Sequence, residues 1–244
     1  MENDVNTNVK NNVKKTKEIL FFVFILLFFM LFEIIYVACG IDLKKVSSKT
    51  YMLLAYIKYF VFILIFVIRY RKYLKEKLKD FFKNITKHVG IGIKWWGIGF
   101  LAMMIINNIL SRFITGVGTN EEIVQSYLDS EPLLMIIATT LFAPFVEEMI
   151  YRKSLQDCFK NKNLFILVSG LLFGLAHVLS AKTPIEFLFI LSYGAFGACF
   201  AKALVDSDNI YTTIFVHMLH NGILSLIAVL TVMLGRQDVK RIVR

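Results

Sequence analysis

Seven ionisable or amide side chains lie within or at the end of long apolar runs in the second half of this sequence. They are Glu147, Glu148, Arg152, His177, His217, His220 and Asn221. Such groups are energetically costly inside a membrane span, so by default they face a bundle interior and mark a functional site. This set could bind a divalent metal, relay protons in a transporter, or activate a water molecule for peptide hydrolysis.

The spacing of these residues assigns them to helix faces. Glu148 and Arg152 are four residues apart with the glutamate first, which is the favourable order for an ion pair on one helix face. Glu147 is rotated by about 100° from Glu148 and can face a separate cavity. His217 and Asn221 are also four residues apart and share a face. We therefore predict that Glu148 is paired and that Glu147 is free for chemistry.

Structural roles are the alternative for each group. The glutamates could pair with basic residues at a membrane boundary, His177 could be a satisfied core histidine, and the polar groups of IFVHMLHNGI could form a helix–helix contact. Depth favours a shared site instead. If the three helices have ends at the same membrane face, the rise per residue places Glu147, His177, His217 and Asn221 about 12–21 Å from it.

Transmembrane helices must position these groups. The chain has 244 residues, is 57% hydrophobic and has a mean hydropathy of +0.64, which excludes an ordinary soluble domain. Apolar stretches long enough to cross about 30 Å of hydrocarbon recur along it. The predicted spans are 19–38, 51–68, 95–114, 133–155, 164–179, 185–204 and 210–234. The predicted fold is an all-α polytopic bundle of about seven spans, with a four-helix catalytic core in its C-terminal half.

The sequence divides into four regions. Residues 1–17 are rich in Asn and Lys, and we expect a disordered cytoplasmic tail. Residues 18–130 form N-terminal anchor helices. They include a linker at 69–94, which is either a basic amphipathic helix on the inner leaflet or a solvated loop. Residues 131–235 contain the catalytic core, and residues 236–244 form a basic tail.

Membrane orientation explains the net charge of +10. The basic residues cluster in loops rather than along one folded face, so no nucleic-acid partner is expected. The positive-inside rule places the cluster at 69–87, and with it the N-terminus, in the cytoplasm. Seven spans would then put the basic tail outside. The last apolar run could bend back at Gly222, one span could be re-entrant, or the tail could be an exception to the rule.

Three short motifs together resemble a known family. EEMIYR at 147–152 matches EExxxR, FGLAH at 173–177 matches FxxxH, and HMLHN at 217–221 matches HxxxN. Their order and separations are similar to those of the CPBP intramembrane proteases, the CAAX-protease and bacteriocin-processing family also called Abi. The resemblance covers about residues 133–234, and the first three spans match nothing specific.

The resemblance implies an intramembrane endopeptidase with a glutamate-activated water. At the matching positions, Glu147 would be the general base and His177 would position or polarise the water. His217 and Asn221 would stabilise the oxyanion of the scissile carbonyl. No metal or other cofactor is expected, although two histidines and a carboxylate would suffice for zinc.

Under the same resemblance Glu148 and Arg152 would form a supporting pair. The expected partners are the lipid bilayer and a membrane-associated peptide or protein substrate, and the sequence specifies no oligomeric state. The composition is typical of a multi-pass protein of a bacterial plasma membrane. There we expect processing of a bacteriocin or signalling peptide ahead of a prenylated CAAX protein. The alternative is a non-proteolytic immunity or regulatory protein that binds a partner.

Overall fold

The computed structural model describes residues 2–114, 116 and 118–242, and the described chain contains helices but no strand. The helices are α1 (Glu2–Leu31), α2 (Glu33–Ala38), α3 (Ser48–Lys83), α4 (Ile85–Leu110), α5 (Thr119–Ser130), α6 (Pro132–Ile137), α7 (Ala143–Glu148), α8 (Lys162–Val178), α9 (Phe189–Ser207) and α10 (Ile210–Ile242). A π-helical segment follows each of α6 and α7, at Ala138–Phe142 and Met149–Ser154. Together these four segments form one continuous helix, Pro132–Ser154, called here the core helix.

Several of these helices are long and apolar enough to cross a membrane. Among the described residues they are Ser48–Lys83, Ile85–Leu110, Pro132–Ser154, Pro184–Ser207 and Ile210–Thr231. α8 is apolar but shorter, and the first predicted span is divided between α1 and α2. Each of the predicted apolar stretches lies largely on helix. The protein is therefore an all-α, multi-pass membrane protein, and the predicted fold class is confirmed.

The observed helix ends differ from the predicted segmentation in three places. Residues 2–17, for which the composition predicts disorder, lie in α1. α3 continues past the second predicted span through a kink at Tyr70 (φ −113°, ψ 18°), so residues 69–94 are the end of α3 and the start of α4. α10 continues without interruption through Gly222, so the bend considered there is wrong. The last residues of the predicted tail, 243 and 244, lie outside the described residues.

Asparagine side chains cap the two helices that bring histidines to the core. Asn161 Oδ1 accepts from two backbone N–H groups in the first turn of α8, at 2.9 and 3.0 Å. Asn209 Oδ1 accepts from the Tyr211 N–H at 3.0 Å and caps α10. Between α9 and α10, Asp208 adopts the left-handed conformation (φ 51°) that ends α9. These caps satisfy N–H groups that a helix start leaves without partners.

Glycines allow α8 and α9 to pack closely. A Cβ atom on Gly170 would lie 2.6 Å from the Gly194 carbonyl oxygen, and one on Gly174 would lie 2.6 Å from the Ile190 carbonyl oxygen. Small residues of this kind let helix backbones approach each other within membranes. The contact holds the histidine-bearing end of α8 against α9.

We expect Gly174→Ala to destabilise the protein by about 1–3 kcal/mol, because the added methyl group would collide with α9 backbone atoms that cannot rotate away. Gly97→Ala is the matched control, since nothing lies within 4 Å of its Cβ position. The measurement is the melting temperature in detergent micelles. Equal melting temperatures for the two variants would contradict the packing argument.

Candidate active site

Glu148 and Arg152 form an ion pair inside the bundle. Arg152 Nε lies 3.2 Å from Glu148 Oε2, and neither side chain is exposed. Arg152 Nη2 also donates to the Gly197 carbonyl at 3.2 Å, and its guanidinium lies 4.3 Å from the ring centroid of Phe173. Arg152 therefore connects the core helix to both α8 and α9.

His217 on α10 joins this pair. Its Nδ1 lies 2.8 Å from Glu148 Oε1, and both side chains are buried. An ionised carboxylate can only accept, so Nδ1 carries the proton and donates it to Glu148. The other ring nitrogen, Nε2, lies 3.8 Å from Glu147 Oε2. Glu148 thus fixes the orientation of the imidazole so that Nε2 faces Glu147.

Glu147 differs from its neighbour in its surroundings. Its side chain is 18% exposed, whereas that of Glu148 is fully buried. The 3.8 Å between Glu147 Oε2 and His217 Nε2 is too long for a direct hydrogen bond. It is short enough for one water molecule to lie about 2.8 Å from both atoms. The arrangement can therefore hold a water against a carboxylate.

His177 lies near this group, and the ring of Phe173 is a neighbour of both His177 and His217. Its Nδ1 donates to the Phe173 carbonyl at 2.8 Å, and its ring stacks on Tyr193 with centroids 4.6 Å apart. The Phe173 centroid lies 4.4 Å from that of His177 and 5.9 Å from that of His217. Because Nδ1 is used by the backbone, Nε2 is the His177 nitrogen left for chemistry.

A small pocket adjoins His177 beneath the first turn of α5. Its lining includes Gly118, Thr119, Asn120, His177, Val178 and Tyr193. Glu186 holds α5 in place there, accepting from the backbone N–H and the hydroxyl of Thr119 at 3.0 and 2.6 Å. The sequence pattern predicts no helix here. Residues 115–132 lie between two predicted spans. The acidic partner of this turn, Glu186, lies far along the chain, in the short 3-10 helix Pro184–Leu188 before α9.

Asn221 contacts the core helix where the backbone hydrogen bonding is interrupted. Its Nδ2 donates to the Thr139 carbonyl at 2.8 Å. The Ala143 N–H bonds to the Ala138 carbonyl, which is the five-residue step of a π-helix. The next step would pair Thr139 with residue 144, but Pro144 has no N–H to donate. Asn221 supplies the donor that the proline lacks.

His220 points away from this cluster. Its Nδ1 accepts from Trp96 Nε1 at 3.3 Å, and its ring centroid lies 4.4 Å from that of Phe196. The residue therefore packs between α4 and α9, which agrees with its having no role in the sequence motif. In the part of the chain that the structure describes, no group of three or more His, Cys, Asp or Glu side chains could hold a metal ion.

Charged groups in the first two predicted spans were not among the predicted site residues. Lys58 Nζ lies 3.9 Å from Glu33 Oε1, and the Tyr51 hydroxyl donates to the same oxygen at 3.2 Å. The signal was present, because LFEIIYV and AYIKYFV each place one charge within an apolar run. The buried His88 was missed as well. It lies among lysines in the sequence, so nothing there indicates burial.

A double-mutant cycle tests whether the buried pair holds the core together. Glu148→Gln and Arg152→Met should each destabilise the protein by about 3–5 kcal/mol, because each leaves one buried charge without its partner. The double variant should lose much less than the sum of the two. Unfolding free energies in detergent measure the coupling. Glu122→Gln with Lys182→Met is the control cycle on an exposed pair at 2.8 Å, where little coupling is expected. Additive losses at the buried pair would contradict this interpretation.

The segment that forms this cluster matches a described protein family. Residues 129–223 match the family model "Type II CAAX prenyl endopeptidase Rce1-like". This range includes every residue of the cluster around Glu147 and Glu148. The matched segment and the segment that forms the site are therefore the same.

Two relatives share similar sequence with this chain. A Bacillus subtilis (strain 168) protein named "Putative membrane peptidase YdiL" is 28% identical over 155 residues, which is 60% of this chain and 59% of that protein. An uncharacterised protein of Mycoplasma capricolum subsp. capricolum is 28% identical over 155 residues, 58% of this chain and 45% of that protein. The matched segment spans less than two thirds of either relative. No solved structure matches the chain.

Proposed function

We propose that this chain, which belongs to the CPBP family of membrane proteases, is an endopeptidase that cleaves a membrane-associated peptide or protein with a glutamate-activated water. The observation that carries the proposal is the 3.8 Å between Glu147 Oε2 and His217 Nε2. Two groups at this separation can bind the same water. Of these two groups, the Glu147 carboxylate is partly exposed. The nearby Arg152 is already paired with Glu148.

Glu147 acts as the general base in this proposal. As the water oxygen bonds to the scissile carbonyl carbon, one of its protons passes to Glu147 Oε2, and the carbonyl electron pair moves to its oxygen. His177 Nε2 accepts a hydrogen bond from the water's other O–H and so orients the attacking oxygen. Glu148 cannot serve as the base, because its two oxygens already face Arg152 and His217.

His217 and Asn221 stabilise the oxyanion. Glu148 accepts the hydrogen bond from the Nδ1–H of His217. In the imidazolium form of His217, the Nε2–H donates first to the bound water and then to the carbonyl oxygen. The Asn221 amide has two N–H groups, of which Thr139 takes one. The other donates to the oxyanion. When the tetrahedral intermediate collapses, the C–N bond breaks and Glu147 passes its proton to the leaving nitrogen.

The proposed setting is a bacterial plasma membrane. The relatives found come from bacteria, and the lysine-, asparagine- and phenylalanine-rich composition agrees with such a source. We propose a bacteriocin or signal peptide as the substrate, ahead of a prenylated CAAX protein. Every step in the proposed reaction uses side chains of this protein, and we assign no resident metal.

Glu147→Gln should lower the cleavage rate by at least about 10²-fold while leaving the protein folded, because the amide cannot take a proton from water. Glu76→Gln, at an exposed glutamate on α3, is the matched control. Comparative peptidomics of membranes from cells that carry each variant would also identify the substrate. Its cleavage products should appear with wild type and the control and disappear with Glu147→Gln. An unchanged peptide set, with a cellular phenotype that survives the substitution, would indicate a binding protein instead.

The two roles of Asn221 can be separated. Asn221→Ala should destabilise the protein by about 1–3 kcal/mol, because the Thr139 carbonyl loses its donor. Adding Pro144→Ala restores a backbone N–H at that point and should recover the melting temperature. Cleavage should stay about 10²-fold low in the double variant, because the oxyanion donor is still missing. If cleavage recovered together with stability, Asn221 would have only a structural role.

A further inference from the structure

The part of α3 that follows the kink at Tyr70 packs against the protein with one face. Tyr70, Leu74 and Phe81 are buried on this face. Lys77 shares the face, and its Nζ lies 2.7 Å from Asp208 Oδ2 in the turn before α10. The helix is therefore fixed in rotation, which determines what its other side presents.

The opposite face is basic and exposed. At about 100° per residue, its lysines fall within an arc of about 80° that lies opposite the buried residues. These exposed lysines, called here the basic face, are Lys72, Lys75, Lys79 and Lys83. Glu76 is the acidic residue exposed beside them. On one flank, Leu78 and Phe82 are 39% and 64% exposed.

This arrangement is typical of a helix that lies in a membrane interface. Exposed Phe82 would be unfavourable in water, but it is favourable where its ring enters the acyl boundary. Lysines about 20° to 100° further round the helix then reach the phosphate level beside it. A solvated helix needs the lysines but gives no reason for the exposed apolar flank. The flank therefore favours a lipid surface over a soluble polyanion.

We infer that the basic face is a docking surface for the headgroups of anionic phospholipids. The inference does not depend on the proposed protease activity. It assigns a ligand class, a negatively charged lipid such as phosphatidylglycerol, to a face that the catalytic proposal does not use. Each lysine near a negatively charged leaflet adds to the attraction, which falls off within a Debye length.

The same segment is hydrogen-bonded to the start of α10. Asn209 Nδ2, at the cap of α10, donates to Asp80 Oδ2 at 2.9 Å. His88 connects the same carboxylate oxygen (2.9 Å) to the Thr212 hydroxyl (3.1 Å). Thr212 precedes His217 on α10 by five residues. Lipid bound at the basic face would therefore stabilise the helix that positions His217.

Lipid retention tests the inference without any need for activity. The full-length protein is reconstituted in equal amounts of phosphatidylglycerol and phosphatidylcholine and extracted in mild detergent, and the retained lipids are counted by native mass spectrometry. Wild type should retain phosphatidylglycerol in excess. The test variant is Lys75→Gln, Lys79→Gln and Lys83→Gln. The matched control changes three exposed lysines of the α2–α3 connection and the start of α3, Lys44→Gln, Lys45→Gln and Lys49→Gln.

The test variant should lose at least about threefold of the phosphatidylglycerol excess, and the control should keep it. Raising the salt from about 0.1 M to about 1 M should remove the wild-type excess as well, because the Debye length shortens from about 10 Å to about 3 Å. Because the salt measurement uses wild-type protein, it tests the inference even if the test variant folds poorly. Equal retention by wild type and a folded test variant, or an excess insensitive to salt, would overturn the inference. The inference would also be overturned if wild type bound heparin through the basic face but showed no preference between phosphatidylglycerol and phosphatidylcholine.

Cleavage assays in the same vesicles separate the two proposals. If both hold, wild-type cleavage rises with the phosphatidylglycerol fraction, and that of the test variant does not. Absence of cleavage in every vesicle, with selective lipid retention intact, would refute the protease function and leave the docking surface standing. Cleavage that ignores lipid charge, together with unselective retention, would refute the docking surface and leave the protease function standing.

Discussion

The buried ion pair between Glu148 and Arg152 determines how the helices of the catalytic half meet. Two charges persist in a bundle interior only if each has a partner with good geometry, because either one alone would be strongly destabilising. Arg152 reaches the backbone of α9 and a ring of α8, and Glu148 reaches His217 on α10. Four helix segments therefore meet at this ion pair, and a rotation of any one against the others would remove a contact that one of the two buried charges makes.

That constraint gives two adjacent glutamates different roles. The residue that is committed to the ion pair is fully buried, while Glu147, about 100° further round the core helix, is partly exposed and faces an imidazole held by its neighbour. Pro144 likewise gives a candidate site residue a structural role. It leaves one carbonyl without a donor, and Asn221 fills that place. The features that fix the structure thus involve the same residues to which we assign the chemistry.

Helix spacing was enough to predict several of these features. Four-residue separations place Glu148 with Arg152 and His217 with Asn221, and the apolar runs predict the helices that carry them. The sequence could not show that His217 donates to Glu148, because that contact depends on how α10 is rotated against the core helix. The link from Asn221 to Thr139 depends on a π-helical step that has no periodic signal. The position of α5 depends on Glu186, a partner more than sixty residues away.

A single turnover in H₂¹⁸O tests the central claim, that a water beside Glu147 and His217 attacks the scissile carbonyl. The experiment mixes a cleavable peptide with excess protein and analyses the products by mass spectrometry before a second turnover. Direct attack by water predicts one ¹⁸O atom in the new carboxylate of the N-terminal fragment and none in the side chain of Glu147. An unlabelled carboxylate, with ¹⁸O in Glu147 instead, would mean that this residue attacks the carbonyl itself, and it would contradict the account.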